Sequence, residues 1–128
     1  MTTSPIPFGE RSCQIDFDLI DHQLLIRVSD GQLATMALRA RSVADFYAEL
    51  MDRLARLALG VKIHTTPNEL TDGIPLEKDM THASYHAQYV NRFWRALARA
   101  DRVFKVFRSR FIGKCSPVHF YWGSLTLQ

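Results

Sequence analysis

Apolar and polar residues alternate over positions 13–19, with Ile15, Phe17 and Leu19 on one side and Gln14, Asp16 and Asp18 on the other. A period of two is that of a strand with one buried face. Residues 20–23 turn the chain, and Leu24, Ile26 and Val28 continue the alternation. Asp30-Gly31 predicts a type I′ hairpin turn, whose two central residues both need positive φ. Residues 33–38 return as a third strand, completing an antiparallel meander with one wet face. Residues 1–11, with Pro5, Pro7 and Gly9, read as an irregular lead-in.

The period then lengthens. Val43, Phe46, Leu50, Leu54 and Leu57 recur three or four apart, which puts one apolar stripe on a helix. Ser42 is its expected cap, with Asp45 where a capping box wants an acid. Gly60 fits the left-handed position that ends helices. Residues 61–63 read as a short strand. Residues 65–80, with Pro67, Gly73 and Pro75, read as a loop of the length that carries function. From Ser84 onward, Val90, Phe93, Leu97, Ala100, Phe104, Phe107 and Phe111 recur at alternating spacings of three and four. That predicts an amphipathic helix of about 40 Å, capped by Ser84 and stopped by Gly113. Pro117 opens a final strand that closes the sheet. The expected fold is α+β: an antiparallel sheet in β-β-β-α-β-α-β order, two helices packed on one face, the second long.

Composition adds limits rather than a function. The chain has 128 residues, 47% hydrophobic and 23% charged, which suits one globular domain over 1–128 and excludes a disordered chain. No apolar run reaches the ~18 residues of a membrane span, and the first residues lack the pattern of a secretory leader. The expected setting is the cytoplasm, away from membranes. Cys13 and Cys115 form no Cys-x-x-Cys pair, so a zinc finger is excluded and reduced thiols are expected. Charge is divided unevenly. Residues 1–79 hold 8 cations against 12 acids, net −4, and residues 80–128 hold 8 cations against Asp101 alone, net +7. Such asymmetry points toward an anionic partner, or to acidic and basic halves that face each other within one fold.

The unusual side chains gather on and around the long helix. Arg92, Arg95, Arg99 and Arg102 form a row opposite the phenylalanines. A solvated outer face explains them better than phosphate contacts, because no base-stacking or groove-reading motif accompanies them. Lys105, Arg108, Arg110 and Lys114 offset the negative end of the helix dipole. Asp101, Lys105 and Arg108 share the rim of the apolar face with Trp94, and Asp101 precedes Lys105 by one turn, a favourable pairing. That group is either a structural ion-pair cluster or the wall of an anion pocket closed by Trp94 and Trp122. His82 and His86 have metal-ligand spacing with His119 as a third ligand, but no carboxylate lies between them and a Ser84 cap leaves His82 outside the helix. No metal or cofactor is expected, and no catalytic constellation can be argued.

The segments SVADFY at 42–47, THASY at 81–85, RFW at 92–94 and DRVFKVFRSRFIGKCSPVHFYWG at 101–123 resemble a bacterial family of proteins of unknown function. The lead-in TTSPIPFG and the stretch FDLIDHQLLIR resemble it too. The resemblance covers essentially the whole chain and implies no activity, substrate or cofactor. Members run longer at both ends, so the chain is expected to be a short form or a piece, and they carry Asp where this chain has His86. The reading put first is a small-ligand domain, with an anion as the ligand, whose polar pocket lies between the long helix and the sheet. Its lining would be His82, Trp94, Asp101, Lys105, Arg108, Lys114, His119 and Trp122. The second is an interaction module that pairs through an open sheet edge, as a homodimer or with another segment. The third and weakest is nucleic-acid binding through the arginine row. Whether the chain is an enzyme stays open.

Overall fold

Alternation along the first forty residues builds an antiparallel sheet with strands in the order β1 (Ile6–Phe8), β2 (Arg11–Asp18), β3 (Gln23–Val28) and β4 (Leu33–Ala37). The structure is a computed structural model that describes every residue except Glu69, His119, residues 122–125 and Gln128. Its register sets Cys13 opposite Val28, Ile15 opposite Ile26 and Leu24 opposite Met36, so one face collects the apolar side chains. The lead-in is not irregular. Ile6 pairs with Cys13, and the chain before Pro5 stays on β2 through the Thr3 N–H to Ile15 carbonyl bond at 3.0 Å. Prolines suit this place because an edge strand leaves part of its backbone unpaired.

The β3–β4 connection differs from the expected turn. It is a three-residue loop in which the Gly31 N–H reaches the Val28 carbonyl at 3.0 Å and the Val28 N–H reaches the Gln32 carbonyl at 2.9 Å. Only Gly31, at φ 92°, is left-handed. This is the geometry of a three-residue loop closed by a glycine bulge, so Asp30 has no need of positive φ. Its carboxylate instead accepts from the Gln32 N–H at 3.0 Å and from Arg11 at 3.1 Å.

Helix α1 (Val43–Arg56) begins at Ser42, whose hydroxyl accepts from the Asp45 N–H at 3.1 Å, as the sequence predicts. It packs against β4. The core of this part joins Leu24, Ile26, Val28 and Met36 of the sheet to Ala44, Leu54, Leu57 and Leu59. The helix stops earlier than Gly60. Ala58 takes the left-handed conformation, φ 52°, while the Leu59 N–H returns to the Leu54 carbonyl and the Ala58 N–H to the Ala55 carbonyl, both at 2.9 Å. The paired bonds are a Schellman closure, and burial of Leu59 beside Leu54 supplies its usual apolar contact. Arg11 donates to the Leu57 and Ala58 carbonyls at 3.3 and 2.9 Å, covering acceptors that the helix end leaves open.

Residues 61–63 form no strand. The described residues of 65–80 are a loop, as expected, holding one 3-10 turn (Leu76–Lys78) that packs on α1. The second helix, α2, runs Ala87–Ser109, so Ser84 is not its cap. After it, β5 (Phe120–Tyr121) pairs antiparallel with β6 (Thr126–Leu127) in a ladder of its own, where a strand closing the main sheet was expected. The fold is α+β, a four-stranded antiparallel sheet with two helices. Its contacts divide into two compact units, Met1–Ala87 and Gln88–Gln128.

Alanine at the left-handed helix end carries a steric cost of about 1 kcal/mol that glycine avoids. Ala58→Gly is expected to stabilise the protein by roughly that amount, raising Tm by about 5 °C. An unchanged or lower Tm in a thermal melt would show that the closure is not strained.

Candidate functional site

The first turn of α1 needs partners for four N–H groups. Ser42 serves one, accepting from the Asp45 N–H with its hydroxyl, and its carbonyl takes the first regular helix bond, from the Phe46 N–H at 3.0 Å. The loop serves two more. The Val43 N–H donates to the His82 carbonyl and the Ala44 N–H to the Asp79 carbonyl, each at 3.0 Å. The segment from Asp79 to His82 is therefore docked on the helix start. Asp79, 7% exposed, also holds its own turn together. Its carboxylate accepts from the Thr81 and His82 N–H groups at 3.1 and 3.0 Å and bonds the His82 Nδ1 at 2.8 Å. Hydrogen bonds, led by that from the His82 N–H, hold the Asp79 carboxyl below the usual carboxylate range. An ionised carboxylate only accepts, so Nδ1 carries the proton and the outer Nε2 of His82 is left for another partner.

On the other side, the chain entering α1 brings two arginines. The Arg41 side chain is 8% exposed, bonds the Glu49 carboxylate, donates to the Ala37 carbonyl at 2.8 Å and lies 5.2 Å over the Phe46 ring. Its Nε has no partner. Hydrogen bonds from Arg41 and then Arg53 hold the Glu49 carboxyl below its ordinary value. Arg39 is exposed and forms no ion pair among the described residues. Tyr85 is fixed by a 2.8 Å bond between its hydroxyl and His22 Nδ1, and burial raises its phenol further above neutrality, so it remains protonated.

Between these walls lies an open cleft of about 430 Å³. Arg39, Arg41, Ser42, Thr81, His82, Ser84 and Tyr85 supply its polar lining, and Val43, Phe46 and Ala83 the apolar part. No carboxylate is among these residues. The positive end of α1 faces it, although its Val43, Ala44 and Asp45 amides are already bonded. A site with these groups can hold negative charge and donate several hydrogen bonds to it.

Of the residues expected to line a pocket, His82 belongs to this cleft. Trp94, Asp101, Lys105 and Arg108 are carried by α2. Asp101 and Lys105 form the expected pair at 2.7 Å on the helix surface. Lys105 and Arg108 share a hollow of about 510 Å³ with Ser109, Phe111, Gly113 and Cys115. Lys114 is exposed beyond the helix, and His119 and Trp122 lie outside the described residues. His86 lies just before α2, and no group of three metal-binding side chains occurs among the described residues. Sequence reasoning missed Arg39, Arg41 and Tyr85 as a group. The available signal was two arginines spaced either side of Ala40 and directly before a helix cap.

The chain belongs to a family of unknown function, DUF5996, whose family model matches residues 1–128. No curated protein matches it, and no solved structure matches it. No helix among the described residues is long and apolar enough to cross a membrane.

A carboxyl with a lowered folded pKa stabilises the native state above the unfolded value, near 3.9, and that contribution disappears as pH falls through the folded value. Asp79→Asn is therefore expected to lower Tm at pH 7, with the gap to the parent narrowing below about pH 4. Thermal melts between pH 7 and 3 check this; a gap that stays constant across the series contradicts the ionised role of Asp79.

Proposed function

We propose that the protein binds a small anionic ligand, carrying a phosphate or carboxylate group, in the cleft at the start of α1. The observation that supports this most directly is the lining: two arginines, a histidine and four hydroxyls around about 430 Å³ with no acid among them. Exposed clefts ordinarily mix both signs, and one-signed lining raises the local concentration of opposite charge. The roles divide. Arg41 is committed to Glu49 and Ala37, so it sets the floor of the site. Arg39, exposed and with donors to offer, makes the ligand contacts together with the lining hydroxyls, and Phe46 with Val43 receives an apolar portion of the ligand. This reading keeps the anion expected from the charge distribution and moves its site from the long helix to α1.

Titration calorimetry with inorganic phosphate, pyrophosphate and a small dicarboxylate tests the proposal. At least one is expected to bind, with affinity falling as salt rises. Arg39→Glu, which breaks no ion pair among the described residues, is expected to weaken binding at least about tenfold, or ~1.4 kcal/mol. Absence of binding by all three, or binding that Arg39→Glu leaves unchanged, rejects the cleft as an anion site.

A further inference from the structure

The turn that docks on α1 also fixes how His82 meets the cleft. Both oxygens of the Asp79 carboxylate are bonded. Oδ1 accepts from the Thr81 and His82 N–H groups at 3.1 and 3.0 Å, and Oδ2 lies 2.8 Å from the His82 Nδ1. A carboxylate held ionised takes that bond from an N–H, which places the ring proton on Nδ1. The neutral imidazole then keeps one lone pair for outside partners, on Nε2. His82 lines the cleft and Asp79 does not, and the His82 side chain is 69% exposed. The free edge of the ring, carrying Nε2, is therefore the part that a ligand meets.

The other polar side chains of the cleft are of a different kind. Arg39 and Arg41 only donate, and the hydroxyls of Ser42, Thr81, Ser84 and Tyr85 both donate and accept. The Nε2 of a neutral His82 only accepts, and it is the one side-chain atom with that property among the described lining residues.

We infer that the cleft selects an oxyanion that carries a hydroxyl of its own, such as hydrogen phosphate or a 2-hydroxy acid, and that His82 Nε2 accepts a hydrogen bond from that hydroxyl. The inference rests on the anion reading of the same cleft and adds which anions it takes. A fully ionised anion such as sulfate brings only lone pairs to Nε2. Two acceptors then face each other, each deprived of the water that had donated to it. An anion with a hydroxyl replaces that water with an equal donor. Sulfate and hydrogen phosphate at about pH 8.5, above the range in which histidine ordinarily titrates, are both dianions and differ by one proton. The charge of Arg39 acts equally on the two, whereas Nε2 tells them apart. Water reaches the exposed ring edge, so the discrimination is that of one hydrogen bond, about fivefold, rather than the ~10⁴-fold of a sealed site. Asp79 is a positioning residue here: it does not line the cleft, but it decides which ring nitrogen carries the proton.

Titration calorimetry of the full chain at about pH 8.5 tests the inference with two pairs of probes. One pair is hydrogen phosphate against sulfate. The other is 2-hydroxyisocaproate against isocaproate, whose branched tails suit Phe46 and Val43. The parent is expected to favour the hydroxyl-bearing member about fivefold, and the pair that shows it tells a phosphate ligand from a hydroxy acid. His82→Asn keeps a donor close to the place of Nδ1 but ends short of Nε2. It is expected to bring the two members within about twofold while leaving Tm close to the parent's. Asp79→Asn is expected to reverse the preference. Its amide oxygen stays with the two backbone N–H groups, its NH₂ donates to Nδ1, and the ring proton moves to Nε2, which then donates. Tighter binding of the hydroxyl-free probe is a gain that damage to the fold cannot imitate. No preference in either pair, or a preference that outlasts His82→Asn or Asp79→Asn, overturns the inference and leaves the cleft an anion site. Absence of binding by all four probes rejects the anion reading, and this inference with it.

Discussion

The buried Asp79 carboxylate is the constraint on which the rest of the site depends. It stands 7% exposed and collects the N–H groups of Thr81 and His82 and the Nδ1 of His82. A carboxylate removed from water must be paired, and here the pairing fixes a turn of four residues. That turn then presents two carbonyls, of Asp79 and His82, to the first amides of α1. The negative group sits near the positive end of the helix, which favours it further. Loop and helix are thus held by two bonds from helix N–H groups to loop carbonyls: the loop caps the helix, and the helix orders the loop. The cleft is the space left beside that junction, so its shape is set by a side chain that does not itself line it.

The opposite end of α1 is held by the same logic with the charges reversed. Arg11, on β2, donates to the Leu57 and Ala58 carbonyls and pairs with Asp30 from the β3–β4 loop at 3.1 Å. A cation meets the negative end of the helix, where it is favoured, and a sheet strand, a hairpin loop and the helix end converge on one guanidinium. The helix therefore cannot slide along the sheet without breaking bonds at both ends. This rigidity matters for a binding site, because a donor displaced by even about 1 Å no longer makes its bond to a ligand.

The period-two and 3.6-residue patterns made the meander, α1 and α2 legible, and Ser42 was readable as a cap because a hydroxyl before an apolar stripe has few other roles there. The misreadings have specific causes. Gly60 looked like the helix stop, yet burial of Leu59 fixed the closure two residues earlier and forced Ala58 into the left-handed region. Tertiary packing outweighed a local preference of about 1 kcal/mol. Asp30-Gly31 looked like a two-residue turn, but one added loop residue leaves only glycine left-handed. Ser84 looked like the α2 cap; the helix starts at Ala87, and Ser84 stays in the loop that lines the cleft. The site itself was half legible. His82 stood out as a histidine in an ordered motif, whereas Arg39 and Arg41 gain meaning only once the loop 79–82 lies across the helix start, a contact some forty residues apart that no local pattern encodes.

Arg39 and Arg41 show why composition alone misassigns such sites. Two residues apart, they carry the same charge and line the same cleft, but their energetic positions differ. Arg41 is desolvated, and its attraction to Glu49 and its contact with Phe46 offset that cost. Removing it would strand the Glu49 carboxylate with Arg53 alone, so its loss would be felt first as instability. Arg39 is exposed and has no such partner among the described residues, so its charge is available to whatever enters. A ligand displaces water from an exposed guanidinium at modest cost, whereas recruiting Arg41 would mean breaking a fold contact. The same local closure occurs along α2, where Asp101 and Lys105 satisfy one another on the surface. The attraction still open to a ligand in the cleft therefore lies at Arg39, with no carboxylate among the lining residues.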